Sequence, residues 1–136
     1  MKVVGISFKK AGKIYYFNPL DFDLHIGDKV IVDSNSCLEM GIVKTPIKEI
    51  NKSDFDRELN EIIRKASKED LVEEERNRED ALEAVEICQE KADNLGLNLH
   101  AIEAEFTFDR KKLLIYFSSN NRVDFRKLVK ELASIY

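Results

Sequence analysis

Residues 101–136 read AIEAEFTFDRKKLLIYFSSNNRVDFRKLVKELASIY, and their pattern decides the fold. From Ala101 to Phe108 the side chains alternate, with Ile102, Ala104, Phe106 and Phe108 on one parity and Glu103, Glu105 and Thr107 on the other. That is the period of a strand with one buried face. Asp109-Arg110-Lys111-Lys112 is a polar interruption of hairpin length. Leu113 to Phe117 is apolar at every position, as in a central strand covered on both faces. A polar loop over 118–122 follows, and Asp124 suits a helix N-cap, where its carboxylate accepts from free backbone N–H groups. Phe125, Leu128, Val129, Leu132 and Tyr136 then form one helical stripe. Such a helix needs a sheet face to cover, and the hairpin supplies one.

Working toward the N-terminus, residues 68–95 predict a long helix. Ser67-Lys68-Glu69-Asp70 resembles a capping box, with Asp70 standing where Glu or Gln is usual. Leu71, Leu82, Val85, Cys88, Ala92 and Leu95 make the expected apolar stripe, and Gly96 suits the left-handed C′ position. Glu73 to Asp80 (EEERNRED) has almost nothing apolar. A helix polar all round is a solvated face or a docking surface, so Glu73, Glu74, Arg76 and Arg78 are candidate partner contacts.

Residues 53–66 support two readings. Phe55, Leu59, Ile62, Ile63 and Ala66 fit a helical stripe capped by Ser53, whereas Glu61 to Lys65 fits one more strand. The break at Ser67 favours the strand.

The first fifty residues are β-rich. Val3–Lys9 and Lys13–Phe17 read as strands joined by a short turn at Lys10-Ala11-Gly12. Gly27-Asp28 is a turn before the β-branched Val30-Ile31-Val32. Cys37 to Lys44 is a further strand, with Gly41 a bulge or a point of close approach, and Pro46 ends it. The expected class is α+β. An N-terminal antiparallel sheet or small partial barrel comes first, then a long central helix, then a β-hairpin with a C-terminal helix. A composition shift places a β-sheet subdomain at 1–52 and an α-β-β-α subdomain at 53–136, in one compact unit.

Composition excludes several classes. The 136 residues suit one domain or two very small ones. No apolar run reaches the ~20 residues that span a membrane, and the N-terminus has no secretion signal, so a cytoplasmic location is expected. The formal net charge is −4. Its distribution is uneven, with a net charge of +1 over residues 1–50, −7 over 51–98 and +2 over 99–136. Cys37 and Cys88 allow at most one disulfide and read better as reduced thiols. His25 and His100 have no neighbours at metal-ligand spacing. Five scattered glycines make no phosphate loop, and the carboxylates crowd onto a solvated helix where nothing would raise a pKa. Neither enzyme chemistry nor a metal is indicated. The basic residues are more suggestive: Arg110, Lys111 and Lys112 at the hairpin tip, and Arg122, Arg126 and Lys130 at i, i+4 and i+8, are candidate RNA or partner contacts.

Several segments together carry a family likeness. VVGISFKKAGKIYYF, GDKVIV, EMGIV, IIRKASKEDL, EICQEK and FTFDRKKLLIYFSSNNRVDFRKLVKELASIY, in that order, resemble the PSP-type C-terminal domain of the bacterial RicT (YaaT)-like family. The most specific pieces are Phe106-Thr107-Phe108-Asp109 with Arg122-Val123-Asp124-Phe125-Arg126, then Arg64-Lys65-Ala66 with Glu69-Asp70-Leu71. The resemblance implies a non-catalytic stage-zero sporulation adapter acting with RicA- and RicF-like proteins and ribonuclease Y in mRNA maturation. Relatives in kinetoplastids imply RNA contact as the alternative. The resemblance also implies an iron–sulfur cluster, held by a cysteine-rich segment beyond this region; Cys37 and Cys88 do not match it, so no cofactor is carried over. The chain would then be a truncated form or a shorter member. Its C-terminal hairpin would present an unpaired edge that promotes a homodimer.

Overall fold

In a computed structural model the protein is described over residues 1–8, 12–51, 53, 58–120 and 122–136. The chain divides into two compact units, Met1–Glu73 and Glu74–Tyr136. The turn expected at Lys10-Ala11 and the stripe position Phe55 lie outside the described residues.

The first unit holds six strands: β1 (Lys2–Ser7), β2 (Ile14–Phe17), β3 (Lys29–Ser34), β4 (Cys37–Val43), β5 (Lys48–Glu49) and β6 (Ile62–Lys65). The sheet runs β2-β1-β4-β3-β6 with antiparallel neighbours, and the short β5 pairs with the start of β1. The two outer strands of that order then meet. Asn18 N–H donates to the Asn60 carbonyl (2.8 Å) and Ile62 N–H donates to the Asn18 carbonyl (3.0 Å), a parallel bridge that closes the sheet into a small barrel. Of the two readings of 53–66, the strand is therefore the one realised, at 62–65. Its pairing with β3 also explains why the division falls at Glu73 and not near residue 52.

Alternation fills the barrel. Val4, Ile6, Phe17, Leu24, Val30, Val32, Val43 and Ile62 form its core, with Phe8, Phe22 and Ile47 packed on it. Ile31, on the opposite face of β3, is equally buried, so the β-branched run is covered on both sides. Gly41 is a close approach: a Cβ there would lie 2.3 Å from Ile6 Cγ2.

The capping box expected at Ser67 is present. Ser67 N–H donates to Asp70 Oδ2 (2.9 Å), and Asp70 N–H donates to Ser67 Oγ (3.1 Å). Asp serves in place of the longer Glu because Arg64, at the end of β6, grips the same carboxylate from Nη2 (2.9 Å) and Nε (3.2 Å). That guanidinium, helped by the Ser67 N–H and hydroxyl, lowers the Asp70 pKa to about 2. The long helix α1 (Lys68–Asn94) starts here.

The second unit comprises the rest of α1, β7 (His100–Phe106), β8 (Leu113–Ser118) and α2 (Arg126–Ala133). Gly96, at φ 69°, ends α1: its N–H donates to the Asp93 carbonyl (3.0 Å) and Leu97 N–H reaches the Ala92 carbonyl (2.9 Å). That is a Schellman motif.

Five expectations change. The buried stripe of α1 runs through Ala81, Ala84, Cys88 and Ala92, while Leu71 and Leu82 are exposed. Alanines let the hairpin approach closely, so the largest apolar residues mislead about the phase. The charged half of α1 is not wet all round, because Asn77 is 2% exposed. In β7 a register shift between Ala101 and Glu103 breaks the alternation: Ala101 and Ala104 are both buried, and Ile102 turns outward at 59% exposure. Among the described residues β8 has only β7 beside it, and Leu114, Tyr116 and Phe117 are exposed, so LLIYF is not a covered central strand. Finally, α2 starts after Phe125, and Asp124 caps from one residue earlier, accepting the Arg126 N–H (3.1 Å).

Candidate functional site

The inner face of β7–β8 carries Ala104, Phe106, Leu113 and Ile115 against Ala81, Ala84 and Val85 of α1. Leu128 of α2 joins Cys88, Ala92, Leu99 and Ala101 in a second cluster. Between β8 and α2 the packing stays open. A groove of about 720 Å³ runs there, lined by Phe106, Leu113, Ile115, Phe117, Leu132 and Tyr136 among others, with Arg110 and Lys111 in its wall. Two ring pairs lie in its lining. Phe117 meets Phe125 at 4.7 Å between centroids, and Phe106 meets Tyr136 at 5.7 Å. The Tyr136 phenol is pushed up by burial and by the Glu83 and Asp80 carboxylates.

Arg110 is fixed in this wall and does not hang from the hairpin tip. Its backbone is left-handed at φ 60°. Nε donates to Asn77 Oδ1 (2.6 Å), the guanidinium pairs with Asp80, and the cation lies 4.6 Å from the Phe106 ring centroid. Asn77 in turn donates to the Phe108 carbonyl (3.2 Å). The buried Asn77 thus ties the hairpin turn to α1. The turn itself is held by Asp109, which accepts from Thr107 Oγ1 (2.8 Å) and Lys111 N–H (3.1 Å).

The six basic candidates are not one cluster. Arg110, Lys111 and Lys112 belong to the hairpin turn, and the first two line the groove. Arg122 precedes α2, which carries Arg126 and Lys130. Arg126 is held by Asp124 (Nη2 to Oδ2, 2.6 Å), which lowers the pKa of that carboxyl. Lys112, Arg122 and Lys130 are exposed. On α1, Glu73 and Glu74 are half-buried, and neither they nor Arg76 are free of internal interactions; Arg78 pairs with Glu75 at 3.1 Å.

Sequence reasoning missed two features. One is the groove, whose lining was read as core. The other lies on the barrel, where Ile14, Tyr15 and Tyr16 of β2 are 39–48% exposed, Phe8 stacks at 5.8 Å from Tyr15, and Lys13 Nζ lies 5.7 Å from the Tyr15 ring. The run IYYF beside a lysine was the available signal.

Reactive groups are few. Cys37 and Cys88 are both buried and unbridged, and burial pushes the Cys88 thiol up, away from the nucleophilic thiolate. An iron–sulfur cluster takes about four thiolates; two thiols in different units do not fit that donor set. Among the described residues no three His, Cys, Asp or Glu converge as metal ligands, and no helix is long and apolar enough to cross a membrane. The carboxylates with lowered pKa, Asp70 and Asp124, are both in arginine pairs with plain structural roles.

Comparison with known proteins places the family region across the end of the first unit and all of the second. Residues 60–136 match the PSP1 C-terminal conserved region. The chain is 45% identical over 134 residues to stage 0 sporulation protein YaaT of Bacillus subtilis, covering 98% of this chain and 49% of that protein. An uncharacterized protein of Schizosaccharomyces pombe is 26% identical over 96% of this chain and 21% of its own length. Protein PSP1 of Saccharomyces cerevisiae is 52% identical over a stretch of 40 residues, 29% of this chain. The chain thus spans about half of the bacterial relative and less of the others. No solved structure matches. With the family region covering more than half of its residues, the chain belongs to the PSP1 C-terminal region family.

Proposed function

We propose that this chain is a non-catalytic adapter in bacterial mRNA processing, acting with ribonuclease Y and with RicA- and RicF-like proteins in the cytoplasm. The likeness to a protein named for stage 0 of sporulation supports a regulatory role. The observation that carries the adapter reading is the groove: an open, mainly apolar cleft of about 720 Å³. Contiguous exposed apolar surface is what a protein partner buries. Binding of the purified chain to ribonuclease Y and to the two accessory proteins tests this. Association is expected, and Leu132→Glu in the groove should abolish it. Failure of the intact chain to bind any of the three, or undiminished binding by the variant, overturns it.

Direct RNA binding is the second reading, favoured by the exposure of Lys112, Arg122 and Lys130. Neutralising those three should flatten the salt dependence of RNA affinity. The engagement of Arg110 and Arg126 in internal pairs makes this the weaker candidate.

A further inference from the structure

The two edges of the β7–β8 sheet are built differently. The β7 edge is guarded: Gln89 takes the Ala101 N–H (2.7 Å) and gives its amide to the Leu99 carbonyl (3.0 Å), a bulge sits at Ile102, and Glu103 and Glu105 follow. Bulges and charges of this kind are how sheets avoid pairing with other chains. The β8 edge has none of these. Leu113–Ser118 carries no charge, no proline and no bulge of its own, and no third strand pairs with it among the described residues. Helix packing on one face stabilises the hairpin but leaves the backbone groups along the β8 edge available to a further strand.

We propose that β8 pairs with β8 of a second copy of the chain, antiparallel, about a two-fold axis through Ile115. This rests on reading this face as a docking surface and names its first occupant. Leu113, Ile115 and Phe117 share the groove face, and Tyr116 is on the other, beside Glu105. Antiparallel partners must share a face. An axis through Ile115 satisfies this: Leu113 opposes the partner's Phe117, Leu114 opposes the partner's Tyr116, and Ile115 opposes itself. Every such pair is apolar, and aliphatic residues set against aromatic ones stabilise sheets. Lys112 falls opposite the partner's Ser118, so the cations of the turn do not meet their own copies. Self-pairing of β7 would instead bring glutamates together.

The area suffices. Phe117, Val129, Ile135 and Tyr136 on the groove face are 41–60% exposed, and Leu114 and Tyr116 on the opposite face are 48% and 41% exposed, so pairing of β8 covers apolar surface on both faces of the sheet. At about 90 Å² each, the two copies would cover on the order of 1,000 Å², the lower bound for a specific interface.

Light scattering after size exclusion at high micromolar concentration tests it. A dimer is expected. Leu114→Lys with Tyr116→Lys should give a monomer that keeps its circular dichroism. Oxidation of a Leu114→Cys, Tyr116→Cys variant should give a covalent dimer, because the two positions face each other across the axis. A monomeric wild type, or a dimer that survives the lysines and resists cross-linking, overturns the proposal. A monomer that still binds ribonuclease Y sinks this inference and leaves the adapter reading; a dimer that does not bind does the reverse.

Discussion

The two units solve one problem in opposite ways. Both contain antiparallel strands whose edges need partners. The barrel unit supplies its own: the Asn18–Glu61 bridge brings β2 and β6 together, and Val4, Ile6, Val30, Val32 and Val43 lose all solvent exposure inside. The hairpin unit leaves β8 open, and the side chains beside it stay 41–60% exposed. Closure concentrates stability in the first; openness leaves the second with surface to spend on contacts.

The sharpest way to break this comparison is truncation. Ile6→Ala empties a fully buried site and should cost about 3–4 kcal/mol in denaturant unfolding, whereas Leu132→Ala in the open groove should cost about 1 kcal/mol. Equal losses would mean the groove is packed as tightly as the barrel. Next comes the junction of β6 and α1. Asp70→Asn removes the anion that Arg64 and Ser67 share and should cost about 2 kcal/mol. The pH dependence follows. Asp70 has a folded pKa of about 2, below its ordinary value of 3.8, so its stabilisation is complete above pH ~4 and is lost as pH falls toward 2. With Arg64 half-exposed, about 1–2 kcal/mol should disappear over that window, and the Asn variant should lack the slope.

A smaller effect is expected in the hairpin unit. Arg110→Ala frees the turn from Asn77, Asp80 and the Phe106 ring and should cost about 1–2 kcal/mol; Arg110→Lys should recover only part, lacking the planar fork. Least of all, Lys112→Ala and Lys130→Ala should shift stability by under about 0.5 kcal/mol, since both side chains are exposed. A larger loss would give those cations a structural job.

What the sequence revealed follows the same division. In the barrel, short apolar and β-branched runs between turn signals mark strands β1, β3 and β4, because few of their side chains are exposed on either face. Two-residue β5 has no pattern to read. At 53–66 a short apolar pair fits either period, and only the pairing with β3 decides. In the hairpin unit the elements were legible but their faces were not. One extra residue in β7 reversed the parity of Ile102, and small alanines set the phase of α1. The site was least legible of all. Arg110 looked like a surface cation because its partners Asn77 and Asp80 lie about thirty positions earlier. A groove, likewise, is an omission of contacts, which no residue pattern announces.

The bridge between Asn18 and Glu61 also sets an order of events in time. Closing a loop of more than forty residues has an entropic cost that must be met before its contacts reward it. During synthesis, β1 to β4 emerge well before β6, so the flank of β3 that β6 will cover waits unpaired. The β7–β8 hairpin, whose strands are joined by one short turn, has no such delay of its own. Slow folding and any misassembly should therefore originate in the barrel, the unit that is better protected once complete.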